Sequence, residues 1–377
     1  MEPTWVEIRG DSMFRKKVTE IGTSELKKEK LKKTKEQKEI AFKRAFLIFV
    51  SAGIVLMSSG LFILYGPFSY VRETLITTAM TTMTHQWLCK WFYSDDTIAS
   101  VLANNTVIES GESTDPNLIT ISNPDYNATT YANQYEKEIL DREEGALYKV
   151  IDIEGPGYKG FLVAVYDPSK VHIATTQYLG KTGQSLKVIA KNSNAIVAMN
   201  ASGFYDPDWN SNGAIPHGVV ISNGKVVWRY TPANVGGGFI GFTNDNKFVL
   251  CACSEQEALA MGMRDAIQFG PFLIVNGKPS FVKGNGGWGI APRSAIGQRQ
   301  DGIVLFLVIN GRRKESLGAD MVDLTEIMQN YGAYNAANLD GGSSSALVIN
   351  NEIVNTPVAG GAEGLRNIPT AWVVTED

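Results

Sequence analysis

Cysteine and histidine are scarce in this chain of 377 residues, with only three of each. Cys89, Cys251 and Cys253 are too few for a disulfide framework, and an odd count leaves at least one thiol free. His85, His172 and His217 are too few and too scattered for the usual zinc sets. Cys251-Ala252-Cys253 reads as strand packing rather than a ligand pair, in a protein that does not rely on disulfides. Other signatures are missing as well. No Walker A loop or nucleotide-binding glycine fingerprint occurs. The one serine cluster lacks the glycine that a G-x-S-x-G elbow needs, since Ser345 stands two places after Ser343. A broad basic face for nucleic acid is also missing. The first 44 residues hold 13 Lys and Arg against 8 Asp and Glu, while the remainder holds 22 against 31. A basic head on an acidic body excludes nucleic acid as the main partner.

Long apolar runs are rare too, and the single exception is informative. Residues 45–65, "AFLIFVSAGIVLMSSGLFILY", carry no charge and end at Gly66-Pro67. At about 1.5 Å per residue they span a hydrocarbon core of about 30 Å. The lysine block from Lys27 to Arg44 precedes them, and such blocks stay on the cytoplasmic side. The expectation is a single-pass cell-membrane protein with a basic cytoplasmic tail over 1–44, an anchor over 45–65 and the main domain outside. A cleaved signal peptide is the alternative; the length of the run favours the anchor.

Beyond the span, Val71, Leu75, Met80, Met83, Trp87, Leu88 and Trp91 fall near helical spacing. They fit either an amphipathic helix resting on the membrane or one packed on the folded domain. A polar stretch, about 104–145, reads as a stalk, so 66–145 are taken as a membrane-proximal helix and linker. It holds two glycosylation sequons by pattern, Asn104-Asn105-Thr106 and Asn127-Ala128-Thr129. From residue 146 onward come short Val- and Ile-rich runs bounded by Gly, Asn, Asp or Pro. Asn223-Gly224 marks a tight hairpin turn. One helix is clear, Asp320 to Tyr331, with Met321, Leu324, Ile327, Met328 and Tyr331 on one face and Asp320 and Asp323 at its start. The expected architecture is α+β, with mixed β-sheets and a few flanking helices over 146–377, preceded by one transmembrane helix.

Polar knots interrupt the strands. "AIVAMNASGFYD" ends an apolar run in Asn200, then Gly203, Phe204 and Asp206. "APRSAIG" places Arg293 and Ser294 directly before a strand. "NAANLDGGSSSALV" brings Asn338 and Asp340 to a strand tip, followed by Gly341, Gly342, Ser343, Ser344 and Ser345. Glycines there admit backbone conformations closed to other residues and let a ligand approach the main chain. A plain Gly-Gly turn capped by Asp340 explains the last stretch equally well.

Five stretches in order carry a specific resemblance: "AMNASGFYD", "PHGVVISNGKVV", "FGPFLIVNG", "APRSAIGQRQDGIVLFLVINGR" and "NAANLDGGSSSALVINNEIVNTP". Together, from Tyr148 to Val374, they resemble the phosphodiester glycosidase family, in its Gram-positive bacterial form. That family includes the uncovering enzyme that removes N-acetylglucosamine from its phosphodiester. The resemblance carries the family's Asn-Gly-Gly-Phe strand end onto Asn200 and Gly203-Phe204, with Ala201-Ser202-Gly203 in place of a simple glycine pair. Its Arg-Thr-Ala-Ile-Gly motif falls on Arg293 to Gly297, with Ser294 keeping the hydroxyl. Its Asn-Leu-Asp-Gly-Gly-Gly-Ser motif falls on Asn338 to Ser344, with Ser343 replacing a glycine.

The resemblance implies hydrolysis of a sugar joined through its anomeric carbon to a phosphodiester, on a cell-surface glycan or exopolysaccharide. Asp340 is then the carboxylate at the reacting centre, and Arg293 the fork that clamps phosphate. Asn200, Gly203, Phe204, Ser294, Asn338, Gly341, Gly342, Ser343 and Ser344 would bind substrate. Asp206, Asp152 and Glu154 are candidates for a second carboxylate. No cofactor is demanded; a hard cation such as Ca²⁺ would bridge Asp340 and phosphate, although no loop of ligand spacing declares one. A glycan-binding protein without turnover, or a phosphodiesterase cutting the P–O bond, are the competing readings.

Overall fold

A computed structural model describes residues 11–82, 85–122, 130–207, 211–232 and 237–376. The chain forms two compact units, Met1–Ser69 and Tyr70–Asp377. The first is one helix, Asp11–Tyr65, of 55 residues. Exposed pairs Lys33–Glu29 and Lys43–Glu39, each one turn apart, decorate its polar part. Its C-terminal part is long and apolar enough to cross a membrane, and it contains the expected span 45–65. Residues 1–10 of the basic head lie outside the described residues.

The second unit packs three antiparallel sheets around one interior. The largest has seven strands, in the order Lys278–Pro279, Phe272–Val275, Ala333–Asn338, Arg293–Arg299, Val304–Ile309, Tyr158–Val165, Tyr148–Gly155. A five-stranded sheet runs Glu352–Ile353, Leu347–Ile349, Ala195–Asn200, Thr370–Thr375, Val171–Thr175. The other five-stranded sheet runs Phe248–Cys251, Gly238–Thr243, Met263–Phe269, Gly218–Ser222, Lys225–Tyr230. Two further two-stranded pairings complete the described set.

The strand "VLFLVI", Val304–Ile309, shows why the layers form. Side chains alternate across a strand, and every residue here is apolar, so both faces must be covered. Val304, Phe306 and Val308 enter the shared interior with Val197, Met199, Ile240, Phe242 and Trp372 from the other sheets. Leu305, Leu307 and Ile309 turn outward under the helix Met321–Asn330, whose Met321, Leu324, Ile327 and Met328 cover them. That helix starts where the sequence places it. The Asp320 carboxylate accepts from Val322 and Asp323 N–H at 2.8 and 3.1 Å, and Asp323 accepts from the Asp320 N–H at 3.0 Å. Asn223 and Gly224 take φ of 51° and 70°, as the expected hairpin turn requires.

The α+β class is as expected, but every pairing among the described strands is antiparallel rather than mixed. Parallel neighbours need crossovers of a dozen residues or more, usually helical, and the helices embedded among these strands are 6 to 10 residues long.

The stretch expected as a stalk is woven into the second unit. Thr106–Ile108 pairs with Phe281–Lys283. Thr114 N–H donates to the Leu250 carbonyl at 2.9 Å, and its hydroxyl donates to Asn335 Oδ1 at 3.1 Å. Ile119 and Ile139 are buried. Isolated among polar residues, these two leave no period to read, yet both are shut away from solvent. In the first sequon Asn104 is exposed, with its Nδ2 on the Ser100 carbonyl at 3.0 Å and its Oδ1 accepting from Lys283 at 2.9 Å. The second, Asn127-Ala128-Thr129, lies outside the described residues, as does Met83.

The segment after the span forms two helices, Ser69–Thr81 and Gln86–Phe92. The first packs on the domain through Ile76, Thr77 and Ala79. Cys251 and Cys253, expected to do no more than pack, are bonded to each other, while Cys251 also packs as the buried last residue of its strand. Cys89 is free and buried.

Candidate active site

The three sheets meet where their chains cross from one to another. Ala333–Asn338 leaves the seven-stranded sheet, runs through Leu339 and Asp340, and re-enters the neighbouring sheet at Leu347 beside Met199. The third sheet arrives through Phe269-Gly270-Pro271-Phe272, whose Gly270–Pro271 bond is cis. Asn338 ties that crossing down: its Nδ2 donates to the Gly270 carbonyl at 3.0 Å and its N–H to the Pro271 carbonyl at 3.0 Å. Asp340 therefore stands on the seam of all three sheets.

Asn200 is the tie of the seam. Its Nδ2 donates to the Asp340 carbonyl at 2.6 Å, and its Oδ1 accepts from the Ser294 hydroxyl at 2.7 Å and the Ala346 N–H at 3.1 Å. Asp340 N–H donates to the Ala201 carbonyl at 3.1 Å. Asn200, Ser294 and Asn338, expected to touch substrate, are thus buried and spend these groups on holding the loop. Buried polar groups need partners, and Asn200 and Ser294 supply one another's, whereas Asn338 Oδ1 is buried without one.

The Asp340 carboxyl accepts from the Gly341 N–H at 3.0 Å and from the Ser344 hydroxyl. Burial nevertheless pushes its pKa up to about 6, against the lowering pull of Ser344, Arg366 and Gly341, with Asp206 adding to the rise. Asp206 is the second carboxylate of the seam. Its Oδ2 pairs with Arg366, its Oδ1 accepts from Ser211 N–H at 2.9 Å, and Arg366 lies 4.5 Å above the Phe204 ring. Asp152 and Glu154 belong elsewhere, exposed on the edge strand Tyr148–Gly155, where Glu154 pairs with Lys159 at 2.9 Å.

Arg293 does not present an open fork. It is buried, its Nε donates to the Ala319 carbonyl at 3.1 Å, and its Nη2 donates to the Trp288 and Gly289 carbonyls. Burial lowers its pKa to about 10, Asp320 opposing that shift and Arg312 adding to it. Among the described residues it forms no ion pair, with Asp340 or any other carboxylate. Its Nη1 faces Gly341, where a Cβ would stand 3.5 Å away.

A residue that the sequence motifs do not single out occupies the rim. Arg312, with φ of 56°, donates from Nη1 to the Ser343 hydroxyl at 3.1 Å and forms no ion pair among the described residues. Partial burial lowers its pKa. A Cβ on Gly342, itself at φ of 61°, would stand 3.1 Å from Arg312 Nη2, so the glycine clears room for the guanidinium. Asn310-Gly311-Arg312 follows the strand Val304–Ile309, the same strand-end signal that marks Asp340. At Gly203 a Cβ would meet the Phe269 ring at 2.6 Å, so this glycine seats the aromatic wall. Among the described residues no group of three or more His, Cys, Asp or Glu comes together to hold a metal ion.

Residues 193–375 match the model of the phosphodiester glycosidase family, a span that takes in Asn200, Asp206, Arg293, Arg312, Asp340 and Arg366. The matched segment, a little under half of this chain, is similar to that family. The fold agrees: the catalytic domain of zebrafish N-acetylglucosamine-1-phosphodiester alpha-N-acetylglucosaminidase, auto-inhibited by its pro-peptide, superposes with a TM-score of 0.51. That superposition has 20% identity and covers 63% of this chain and 86% of the other. An uncharacterized SPbeta prophage-derived protein of Bacillus subtilis, YomE, is 31% identical over 199 residues, which is 50% of this chain and 30% of that one. The chain thus spans less than a third of the length of that relative. In the matched segment, the seam between sheets is the place where the polar residues converge.

Proposed function

We propose that this protein is a membrane-anchored hydrolase that frees a sugar from a glycosyl-1-phosphodiester at the outer cell surface, in glycan or exopolysaccharide metabolism. One observation carries the reading: Asp340 is held by its backbone on a seam of three sheets, with its pKa pushed up to about 6. A carboxylate poised near the working pH is suited to take a proton from water.

Asp340 in its ionised form activates the attacking water and faces the carbon that gains positive charge. The leaving phosphate is a good leaving group, so a strong general acid is dispensable, and stabilising its charge is the remaining task. Arg312, rather than Arg293, takes the role of phosphate clamp, because its guanidinium is at the rim and free of carboxylates among the described residues. Arg293 instead braces the wall behind Gly341. Ser343, half-buried beside Arg312, offers a hydroxyl to phosphate or sugar. Arg366, fixed by Asp206 and Phe204, sets the field around Asp340.

The test uses the full chain in detergent or nanodiscs and an N-acetylglucosamine-1-phosphodiester with an alkyl arm in ¹⁸O water. Label in the released sugar supports the reading, since it reports cleavage of the C–O bond. Label in the phosphate means P–O cleavage, and Asp340 is then not the base that directs water to the sugar carbon. No turnover on this and related sugar phosphodiesters moves the domain to a binding role.

A further inference from the structure

The helix Gln86–Phe92 is built on one side only. Its inner side is sealed: Cys89 is fully buried with its thiol on the Leu75 carbonyl at 3.7 Å, and Gln86 Nε2 donates to the Met80 carbonyl at 3.1 Å. Its outer side presents Trp87 and Trp91, which are 47% and 75% exposed, with Lys90 between them. The two indoles stand one turn apart, edge to face at 4.8 Å between centroids. A protein that buries Trp372 completely has no packing reason to leave two adjacent tryptophans in water.

We infer that this face docks on the boundary between lipid headgroups and acyl chains of the bilayer that holds the apolar helix. Indole is large and apolar with one polar N–H, and it concentrates at that boundary. Lys90 between the rings suits anionic headgroups. Connectivity points to the same occupant. Trp87 stands only 22 positions after Tyr65, the last residue of the membrane-length helix, and the helix Ser69–Thr81 shortens that tether at about 1.5 Å per residue. Tyr70 and Phe68, 68% and 43% exposed, extend the aromatic character back toward the span.

The consequence reaches the seam. Thr81 donates to the Trp288 carbonyl at 3.1 Å, Thr78 accepts from the Ile290 N–H at 3.0 Å, and Trp288 and Gly289 carbonyls hold Arg293. The wall behind Gly341 therefore rests on the helix Ser69–Thr81, to which the docking helix is tied through Cys89 and Gln86. The inference concerns where the domain sits and does not depend on turnover.

The test is depth-dependent quenching of tryptophan emission in the full chain, reconstituted in vesicles containing lipids brominated high or low along the acyl chain. Trp5→Phe serves as background, and Trp91→Phe and Trp87→Phe/Trp91→Phe are compared with it. The expected result is quenching by shallow bromines that falls in Trp91→Phe and falls further in the double variant. Trp91 is so exposed that its single replacement carries the test even where the double variant folds poorly. Equal quenching in background and variants overturns the proposal. So does a pair whose emission is blue-shifted yet unquenched, which means a second copy or another part of this chain covers it. Red-shifted, unquenched emission places the pair in water and overturns it as well.

Discussion

The strand Arg293–Arg299 begins and ends on an arginine, and its two ends are built on different principles. At the far end Arg299 meets Asp301 in a forked pair, Nε at 3.1 Å from both carboxylate oxygens and Nη2 at 2.8 Å, and its Nη1 donates to the Tyr331 carbonyl at 3.2 Å. At the near end Arg293 has only carbonyls, and Asp340 close by keeps a raised pKa and, among the described residues, no ion-pair partner. The far end also borders a cavity of about 550 Å³, lined by Glu136, Arg299, Asp301 and Gln329 among others. Room alone does not make a site. Where charges satisfy one another, as at Arg299, the groups are spent on stability; where they are kept apart, as at Asp340, they remain able to react.

The largest expected effect breaks the near end at its carboxylate. Asp340→Asn keeps shape and hydrogen bonds but cannot be ionised, so kcat should fall by about a thousandfold or more. The same change should stabilise the fold. The Asp340 pKa is raised from 3.8 to about 6, so the folded state binds the proton more tightly than the unfolded state. The carboxylate therefore costs stability fully above pH 6, and the cost disappears as pH falls from 6 to below 4. Up to about 3 kcal/mol is at stake, at about 1.4 kcal/mol per unit. Denaturation at pH 7.5 should show the variant more stable than the native chain, and at pH 3 the two should coincide. In the native chain the proposed activity should drop about tenfold in kcat/KM per pH unit below 6. A variant that keeps its rate would remove Asp340 from the centre of the mechanism.

The two arginines supply the next contrast. Arg293→Met leaves the Gly289 carbonyl without its donor and takes one of two donors from the Ala319 and Trp288 carbonyls, for a loss of about 2–4 kcal/mol in all. Arg299→Met exposes Asp301 to solvent that already reaches it and should cost about 1–2 kcal/mol. Urea midpoints of the two variants at equal slope measure the difference. Equal losses would mean that the Trp288–Gly289 loop finds water when Arg293 is removed.

What the sequence discloses follows the range over which each signal acts. Asp340, Gly341 and Gly342 are legible because a carboxylate and two glycines directly after an apolar run make a local pattern. So is the helix Met321–Asn330, since capping and a 3.6-residue period are local too. Arg293 is conspicuous in sequence, but its partners are not legible there. Its sequence position shows a fork before a strand, whereas its partners, Ala319 and the Trp288 loop, are set by tertiary packing. The partners of Asn200 and Ser294 are illegible for the same reason: each is the other's, at a sequence separation of 94. The stretch that reads as a stalk hides its packing because Ile119 and Ile139 are isolated contacts, and the Cys251–Cys253 bond is hidden because strand packing alone accounts for the pair.

The smallest effect in stability is the sharpest for function. Arg312 sits at the rim in a left-handed conformation, φ 56°, where glycine is at ease. Arg312→Gly should therefore leave stability unchanged or raise it by about 0.5–1 kcal/mol. Yet the loss of one charge-assisted contact to phosphate, about 1.5–3 kcal/mol, should raise KM for the phosphodiester by about ten- to a hundredfold. Arg312→Lys keeps the charge and loses the fork, so it should fall between the two. The opposite signs separate this residue from Arg293, whose loss should damage fold and turnover together. If Arg312→Gly keeps its KM, phosphate is not held at this rim. The guanidinium of Arg366, over Phe204, then becomes the one to remove.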